Sequence, residues 1–517
     1  MNWNELTNEA KAVFKKYTAR PVISGTVKKT ESGNFVFHYT TNSGYADEDV
    51  NATDANSNSI PDYIDNLISK FTTINTKYHT TMGLTVPPSD GTNGGNAKYD
   101  IYISGYEAGD GVYGWVSPDR KLGDNENSAT ITETEAYDSY MVLRNNYEGF
   151  GDQNIALSVT AAHEYMHAVQ FGYSGTMESW FMEVGATWSE EHVYSGYDDN
   201  FQYLSGVFDS PDVALNLEDG EVEVFDGHWY SAWIFAQYLT EKTNPNIMKK
   251  IYERCIQYYA LDAIDLELKA NWQSSLKQTF TNFSIANVLM TSNAGANPYT
   301  YNRANDYAPL IKPTYFYENG TAPFNFTGSD ISWSSKTNGN NRLMRFSSDY
   351  FLLTATKDFT ITFSPSNTEV LFLLLKISPT SFAIAQADQN ASITVNDTEN
   401  WTKYVPIVVR FDGSVTTTTA FDYNFTIKNS LTSQIENNLT ADLISVYPNP
   451  AVNTITIDVE NYESYTLEII DLTGKSIQRN KLTQNKIDVS SIENGIYFLN
   501  IFENNELVKT QKVIINH

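Results

Sequence analysis

The chain has 517 residues, enough for several domains at about 100–200 residues each. Hydrophobic residues make up 41% and charged residues 19%, and a formal net charge of −28 argues against nucleic acid or an anionic membrane surface as a partner. One cysteine, Cys255, rules out an intrachain disulfide, and no apolar stretch approaches the roughly 20 residues that span a bilayer.

The opening MNWNELTNEAKAVFKKY reads as an amphipathic helix and lacks the apolar core of a signal peptide. Strands are expected at NFVFHYT (34–40) and YDIYISG (99–105). Between them, DANSNSIPDYID (54–65) is a polar loop running into a helix over 61–79, with Pro61 in its first turn. YMVLRNNYEGFG (140–151) reads as a strand at the edge of a sheet. Helices are expected over 154–173, 177–194, 227–242 and 245–259. Strands first and helices afterwards make residues 1–295 an α+β domain. From 296 to 435 the texture changes to short runs rich in Thr, Ser, Asn and Phe, such as YFLLTATKDFTITFSP and VLFLLLKIS, which predict a β-sandwich. A polar linker (429–445) leads to a last segment, 446–517, whose short alternating strands predict a small second β-sandwich. The fold class is therefore multidomain.

Two stretches carry candidate metal ligands. In 54–65, Asp54, Asn56, Asn58, Asp62 and Asp65 fall at positions 1, 3, 5, 9 and 12 of an EF-hand-like loop, with the Ile60 carbonyl at position 7. Oxygen ligands alternating around a tight loop suit Ca2+ in a structural role. Ser59 stands where glycine is usual at position 6, and Asp65 replaces the usual glutamate. The same residues also fit a polar Asx-turn loop that caps the following helix.

In AAHEYMHAVQ (161–170), His163 and His167 are four residues apart, so one helix face presents both rings to a single ion. Glu164 lies beside that face, where it can hold a water and accept its proton. A catalytic zinc needs a third protein ligand. A continuation H-x-x-G-x-x-H would require glycine at 170 and histidine at 173, but the chain has Gln170 and Tyr173. A carboxylate from the next helix is the other solution. ESWFMEVGATWSEE offers Glu183, with Glu178, Glu190 and Glu191 as rivals, and Gly185 or Ala186 would let that helix pack closely.

The W-x-x-E-x-x-A-x-x-x-E pattern of that helix resembles the second zinc motif of gluzincin metallopeptidases, especially their aminopeptidase-like branch. The resemblance implies a zincin-like fold, Zn2+ held by His163, His167 and Glu183, and Glu164 as general base. DGHWYSAWIFAQYLTEK (226–242) resembles the helix that carries the oxyanion-stabilising tyrosine of that branch, which implies Tyr230. His228 is the alternative donor, and a core tyrosine at 230 is the plain structural reading. Over about 20–290 the ordered features F-x-x-H-Y-T, D-x-N-x-N-x-I-P-D-Y-x-D, K-Y-D-I-Y-I, H-E-x-x-H and W-x-x-E resemble a group of secreted bacterial metallopeptidases.

YPNP (447–450), DLTGK (471–475), NGIYFLNI (494–501) and KTQKVIIN (509–516) resemble the sorting domain of the type IX (Por) secretion system. This implies the secretion machinery as a partner, and a secreted or cell-surface location for a chain that shows no signal peptide here. The expected function is a secreted zinc endopeptidase acting on a protein or peptide substrate, with the 296–435 sandwich as an accessory domain. The rival expectation is a non-catalytic surface adhesin that keeps the zincin fold.

Overall fold

The computed structural model describes residues 20–517 apart from 46–47, 106–110, 219–226, 312, 317–321, 339–342, 365–368, 412–419, 431–443, 460, 472–474 and 504–505. The helix expected over 1–17 and most of the linker expected over 429–445 lie outside the described residues.

A five-stranded mixed sheet comes first: β1 (Lys28–Ser32), β2 (Phe35–Tyr39), β3 (Tyr99–Ile103), β4 (Gly114–Gly123) and β5 (Ala136–Leu143), in the order β1-β2-β3-β5-β4. β2, β3 and β5 run parallel, while β1 and β4 are antiparallel outer strands. The parallel step from β2 to β3 requires a crossover, and α1 (Asp62–Asn75) lies within it. α1 and α2 (Gln153–Tyr173) cover one face of the sheet. Phe35, Ile101, Met141 and Leu143 pack there against Phe71, Ile74, Ala161 and Tyr165. Every residue of β2 is buried because the other face is covered too. There His38 bonds Asp100 at 2.6 Å and stacks on Tyr102.

Of the stretch expected as an edge strand over 140–151, only residues 140–143 are strand, and they end β5, which pairs with β3 on one side and β4 on the other. Its backbone groups are used on both sides, so the outer strand is β4. Alternation along a strand reports its faces and not its neighbours, which is why the sequence misassigned the edge.

After α2 the chain turns back through Ser174–Glu178 into α3 (Ser179–Val193). α4 (Ser205–Asp209), α5 (His228–Ser231), α6 (Trp233–Lys242), α7 (Ile247–Cys255), α8 (Ala260–Asn271) and α9 (Leu276–Leu289) complete the helical part. Two sheets follow. One is β13-β10-β15-β7, from β7 (Ile331–Ser334), β10 (Phe359–Ser364), β13 (Ser392–Val395) and β15 (Asn424–Asn429). The other is β12-β11-β14-β9-β6, from β6 (Phe324–Phe326), β9 (Leu353–Ala355), β11 (Val370–Ile377), β12 (Phe382–Gln386) and β14 (Lys403–Arg410), with β8 (Ser347–Tyr350) also paired to β14. Between the sheets lie Phe326, Trp333, Phe351, Phe359, Tyr404 and Phe425.

The second sheet is buried on both faces. Along β11, Phe372 and Leu374 point into the sandwich, whereas Leu373 and Leu375 join the core of the helical part. In β14, Tyr404 and Val408 face inward while Val405, Ile407 and Val409 face the helices. A strand covered on both sides reads as an unbroken apolar run, which accounts for VLFLLLKIS. The core that begins under the first sheet therefore continues past residue 295 into the sandwich.

The last segment has its own core of Ile455, Ile457, Leu467, Ile469, Leu499, Ile501 and Val513. It lies between the sheets β16-β17-β20 and β19-β18-β21-β22. These strands are β16 (Ser445–Tyr447), β17 (Thr454–Asp458), β18 (Tyr465–Ile470), β19 (Ser476–Lys481), β20 (Lys486–Asp488), β21 (Gly495–Glu503) and β22 (Glu506–Ile515). Among the described residues no helix is long and apolar enough to cross a membrane. The protein is thus a mixed helical and multi-sheet chain with a C-terminal β domain.

Candidate metal centre

α2 starts on Asp152, whose carboxylate accepts the N–H groups of Asn154 at 2.9 Å and Ile155 at 3.1 Å. It is apolar or small around most of its circumference, so it runs through the interior with its polar triplet enclosed. The helix spacing brings the rings of His163 and His167 to 4.8 Å between centroids. α3 crosses opposite them. Glu183 Oε2 lies 3.1 Å from His163 Nε2, and its Oε1 lies 3.5 Å from His167 Nε2. One ligand atom from each of the three residues lies within 4.8 Å of the other two. Two imidazole nitrogens and a carboxylate are the donor set of an open zinc site, so these residues fit that metal.

The close crossing depends on Gly185. A Cβ built there would overlap the Tyr252 hydroxyl and lie 2.7 Å from Gln170 Nε2.

The far side of each imidazole is also held. His163 Nδ1 is 2.8 Å from Glu190 Oε1, and His167 Nδ1 is 2.9 Å from Gln170 Oε1. Such partners fix the tautomer that leaves Nε2 free for a metal. Gln170 is itself anchored through its amide N–H to the Met182 carbonyl at 3.0 Å. The rival carboxylates are accounted for. Glu178 accepts from Trp180 Nε1 and from the Ala260 N–H, Glu191 pairs with Arg303 at 2.9 Å, and Glu190 stands behind His163.

Charge follows from this arrangement. Burial disfavours the imidazolium forms, but Glu183 and Glu190 outweigh it and raise His163. His167 is raised against the same burial penalty by Glu183. Burial would lift Glu183, yet the two histidines hold it well below the usual carboxylate range. Burial dominates at Glu190, raising it to about 7. Glu164 is 8% exposed, and burial raises its carboxyl, opposed by both histidines and by the nearby Val116 N–H of β4. β4 comes this close because its first residue is Gly114, where a Cβ would sit 2.9 Å from Leu143 and 3.2 Å from Thr160.

Tyr230 lies over the site, its ring 6.1 Å from His163 and stacked on Tyr203 at 5.2 Å. His228, two residues earlier in the short α5, points away from the histidines. It lines a cavity of about 20 Å³ with Val207, Leu215, Phe280, Phe283 and Tyr350, where the helical part meets the sandwich. Of these two residues, Tyr230 stands beside the histidines and His228 does not.

The 54–65 loop is coiled on itself. Asp54 accepts the N–H groups of Asn58 at 3.1 Å and Ser59 at 2.9 Å, and Asn58 Oδ1 accepts that of Ile60 at 2.8 Å. Asp62 caps Ala55 N–H at 2.9 Å, while the Asn56 and Asn58 amides both donate to Asp65 Oδ2, at 2.8 and 2.9 Å. Ser59 has φ +72°, the left-handed conformation for which glycine is usual at that position. Asp54, Asn56, Asn58 and Asp65 are thus gathered in a polar Asx-type loop, with Asp62 at the start of α1.

The sequence did not single out Gln170, Val116 or Tyr203, and it weighed Glu190 only as a rival ligand. Gln170 had a signal, three residues after His167 on the same helix face. Val116 and Tyr203 had none, because only the tertiary fold brings them to the helix.

Among curated proteins, the chain is similar to the ulvan lyase NLR42 of Nonlabens ulvanivorans, 29% identical over 76 residues. The chain spans 14% of that relative's length, and the match covers 14% of this chain. Solved structures align over limited parts. PorZ of Porphyromonas gingivalis, a surface component of the type IX secretion system, matches at 15% identity and a TM-score of 0.14, covering 18% of this chain and 14% of PorZ. The lysozyme inhibitor PliG of Escherichia coli matches at 15% identity and a TM-score of 0.15, covering 21% of this chain and 98% of PliG. Residues 445–516 match the family described as the secretion system C-terminal sorting domain, so this is a secreted or cell-surface protein of the type IX secretion route.

Proposed function

We propose that the protein is a zinc-dependent endopeptidase of the gluzincin type, with a zincin-like domain in the first 295 residues and protein or peptide as substrate. One observation carries the reading: His163, His167 and Glu183 converge within 4.8 Å while the buried Glu164 carboxylate stands beside them. A purely structural metal site has no use for that fourth group. Zinc, when bound, supplies Lewis acidity that polarises a carbonyl and makes a water acidic near neutral pH.

The chain's own residues do the rest. Glu164, with its carboxyl raised by burial, takes the proton of the attacking water and passes it to the leaving amine. Tyr230 donates its phenol hydrogen to the oxyanion of the tetrahedral intermediate. β4, the outer strand whose Val116 N–H lies near Glu164, gives an extended peptide a backbone edge to pair with. Glu190 and Gln170 hold the imidazoles in place. The 54–65 loop takes Ca2+ in a structural role, with Asp54, Asn56, Asn58, Asp62, Asp65 and the Ile60 carbonyl as its oxygens.

The test is metal analysis of the purified chain combined with a peptide-library cleavage profile. Bound zinc with cleavage that stops on chelation and returns with zinc is expected. Bound zinc with no cleavage anywhere in the library would favour the adhesin reading instead.

A further inference from the structure

Several buried carboxylates of this protein lie against a guanidinium: Asp90 and Asp100 share Arg20, Asp138 takes Arg120, Glu191 takes Arg303 and Glu267 takes Arg254. Glu133 faces another acid. The residue is 2% exposed, and the Asp124 carboxylate stands beside it, accepting its N–H at 3.0 Å. Glu133 Oε1 has no hydrogen-bond partner among the described residues. Oε2 accepts the Asn125 N–H at 3.1 Å and the Ser128 hydroxyl at 2.7 Å.

The surroundings are short of protons too. Ser128 Oγ also lies 3.0 Å from the Asn125 carbonyl and 3.1 Å from the Ile131 carbonyl. A serine hydroxyl carries one hydrogen, and here it faces three acceptor oxygens, of which the Asn125 carbonyl also accepts the Ser128 N–H at 2.9 Å. The Asp124 carboxylate, whose Oδ1 accepts the Glu133 N–H at 3.0 Å, adds to the excess. A buried carboxylate without a cation nearby must keep a proton or take up an ion. Burial, followed by the neighbouring Asp124, pushes the Glu133 carboxyl upward, as this shortage requires.

Carboxylates, carbonyls and a hydroxyl on one loop, with no nitrogen or sulfur, are the ligands of a hard cation. We infer that the 124–133 loop binds a divalent cation of the calcium class through Asp124 and Glu133. Asp124 is exposed, so the ion enters from solvent. The consequence reaches the metal helix. Asn125 donates its side-chain amide to the Gly172 carbonyl at 3.3 Å and the Val86 carbonyl at 3.1 Å, tying the loop to the last turn of α2. The ion would hold the far end of the helix that carries His163 and His167. This inference stands apart from the peptidase reading and from the 54–65 loop.

The test is calcium titration of the full chain after chelator treatment, followed by hydrogen exchange and by ion counting. Exchange over 124–133 should slow by up to about 100-fold at calcium one hundred times its Kd. Glu133→Gln and Asp124→Asn should each bind one calcium ion fewer than the wild type. The site is disproved if calcium leaves wild-type exchange over 124–133 unchanged, or if both variants bind as many ions as the wild type. Exchange that follows pH but ignores calcium would mean that the two acids share a proton, which overturns the inference as well.

Discussion

Glu183 and Glu190 are seven residues apart, two helical turns, so both look out from the same face of α3 toward α2. The depth at which the helices cross decides their roles. Glu183 meets the Nε2 side of the histidines, and Glu190 meets Nδ1 of His163 from behind. H-E-x-x-H was legible in the sequence because one helix fixes the relation of its own residues, whereas the crossing is set by groups distant in sequence. Glu190→Gln keeps an acceptor for His163 but loses its charge. It should weaken zinc binding by about 10–100-fold in a chelator competition, the usual cost of losing such a support. An unchanged affinity would remove Glu190 from the account. Acid tests another residue. Burial lowers His228 to about 4, below its ordinary 6.5. It is neutral in the folded protein and charges on unfolding, so its contribution is complete above about pH 6.5 and is lost as pH falls through 4. The loss approaches about 3 kcal/mol. Melting from pH 7 to 4 should fall less steeply in His228→Gln than in the wild type.

At the scale of elements, the contact between α2 and α3 rests on Gly185, and the sequence had marked that position or Ala186 for close packing. Gly185→Ala would press on Tyr252 and on Gln170, which orients His167. A cost of about 1–3 kcal/mol in stability is expected for such overpacking, together with weaker zinc binding. Calorimetry with metal titration checks both. A loss of stability with zinc affinity intact would mean that Gln170 does not set the His167 ring. Sheet order was the part of this level that the sequence hid. β5 carries the apolar run, yet β4, with its exposed Pro118–Leu122 stretch, is the strand beside Glu164. Strand edges are fixed by pairing partners far along the chain, and a single strand carries no mark of them.

Across the whole molecule, the texture change near 296 correctly signalled a move from helices to strands, but it did not mark the end of a core. Phe280 and Phe283 of α9 share one apolar interior with Phe346, Ile407 and Phe411 of the sandwich. Composition reports the kind of element and is blind to what packs on it. Residues 1–295 made alone should therefore aggregate or melt without a cooperative transition. A chain ending at 430 should keep its main transition, because the sorting domain closes its own core around Ile457, Leu467 and Leu499. Calorimetry of the two truncations decides this, and a sharp transition in 1–295 would show the sandwich to be dispensable. The sorting segment was the most legible part of the chain, since its turns and strands are local. The most direct measurement of the central claim compares Glu164→Gln with the wild type for zinc content and for casein cleavage. The account predicts equal zinc and cleavage lost by at least about 100-fold, the low end of general-base catalysis. Equal cleavage by the two proteins, at equal zinc, would contradict it.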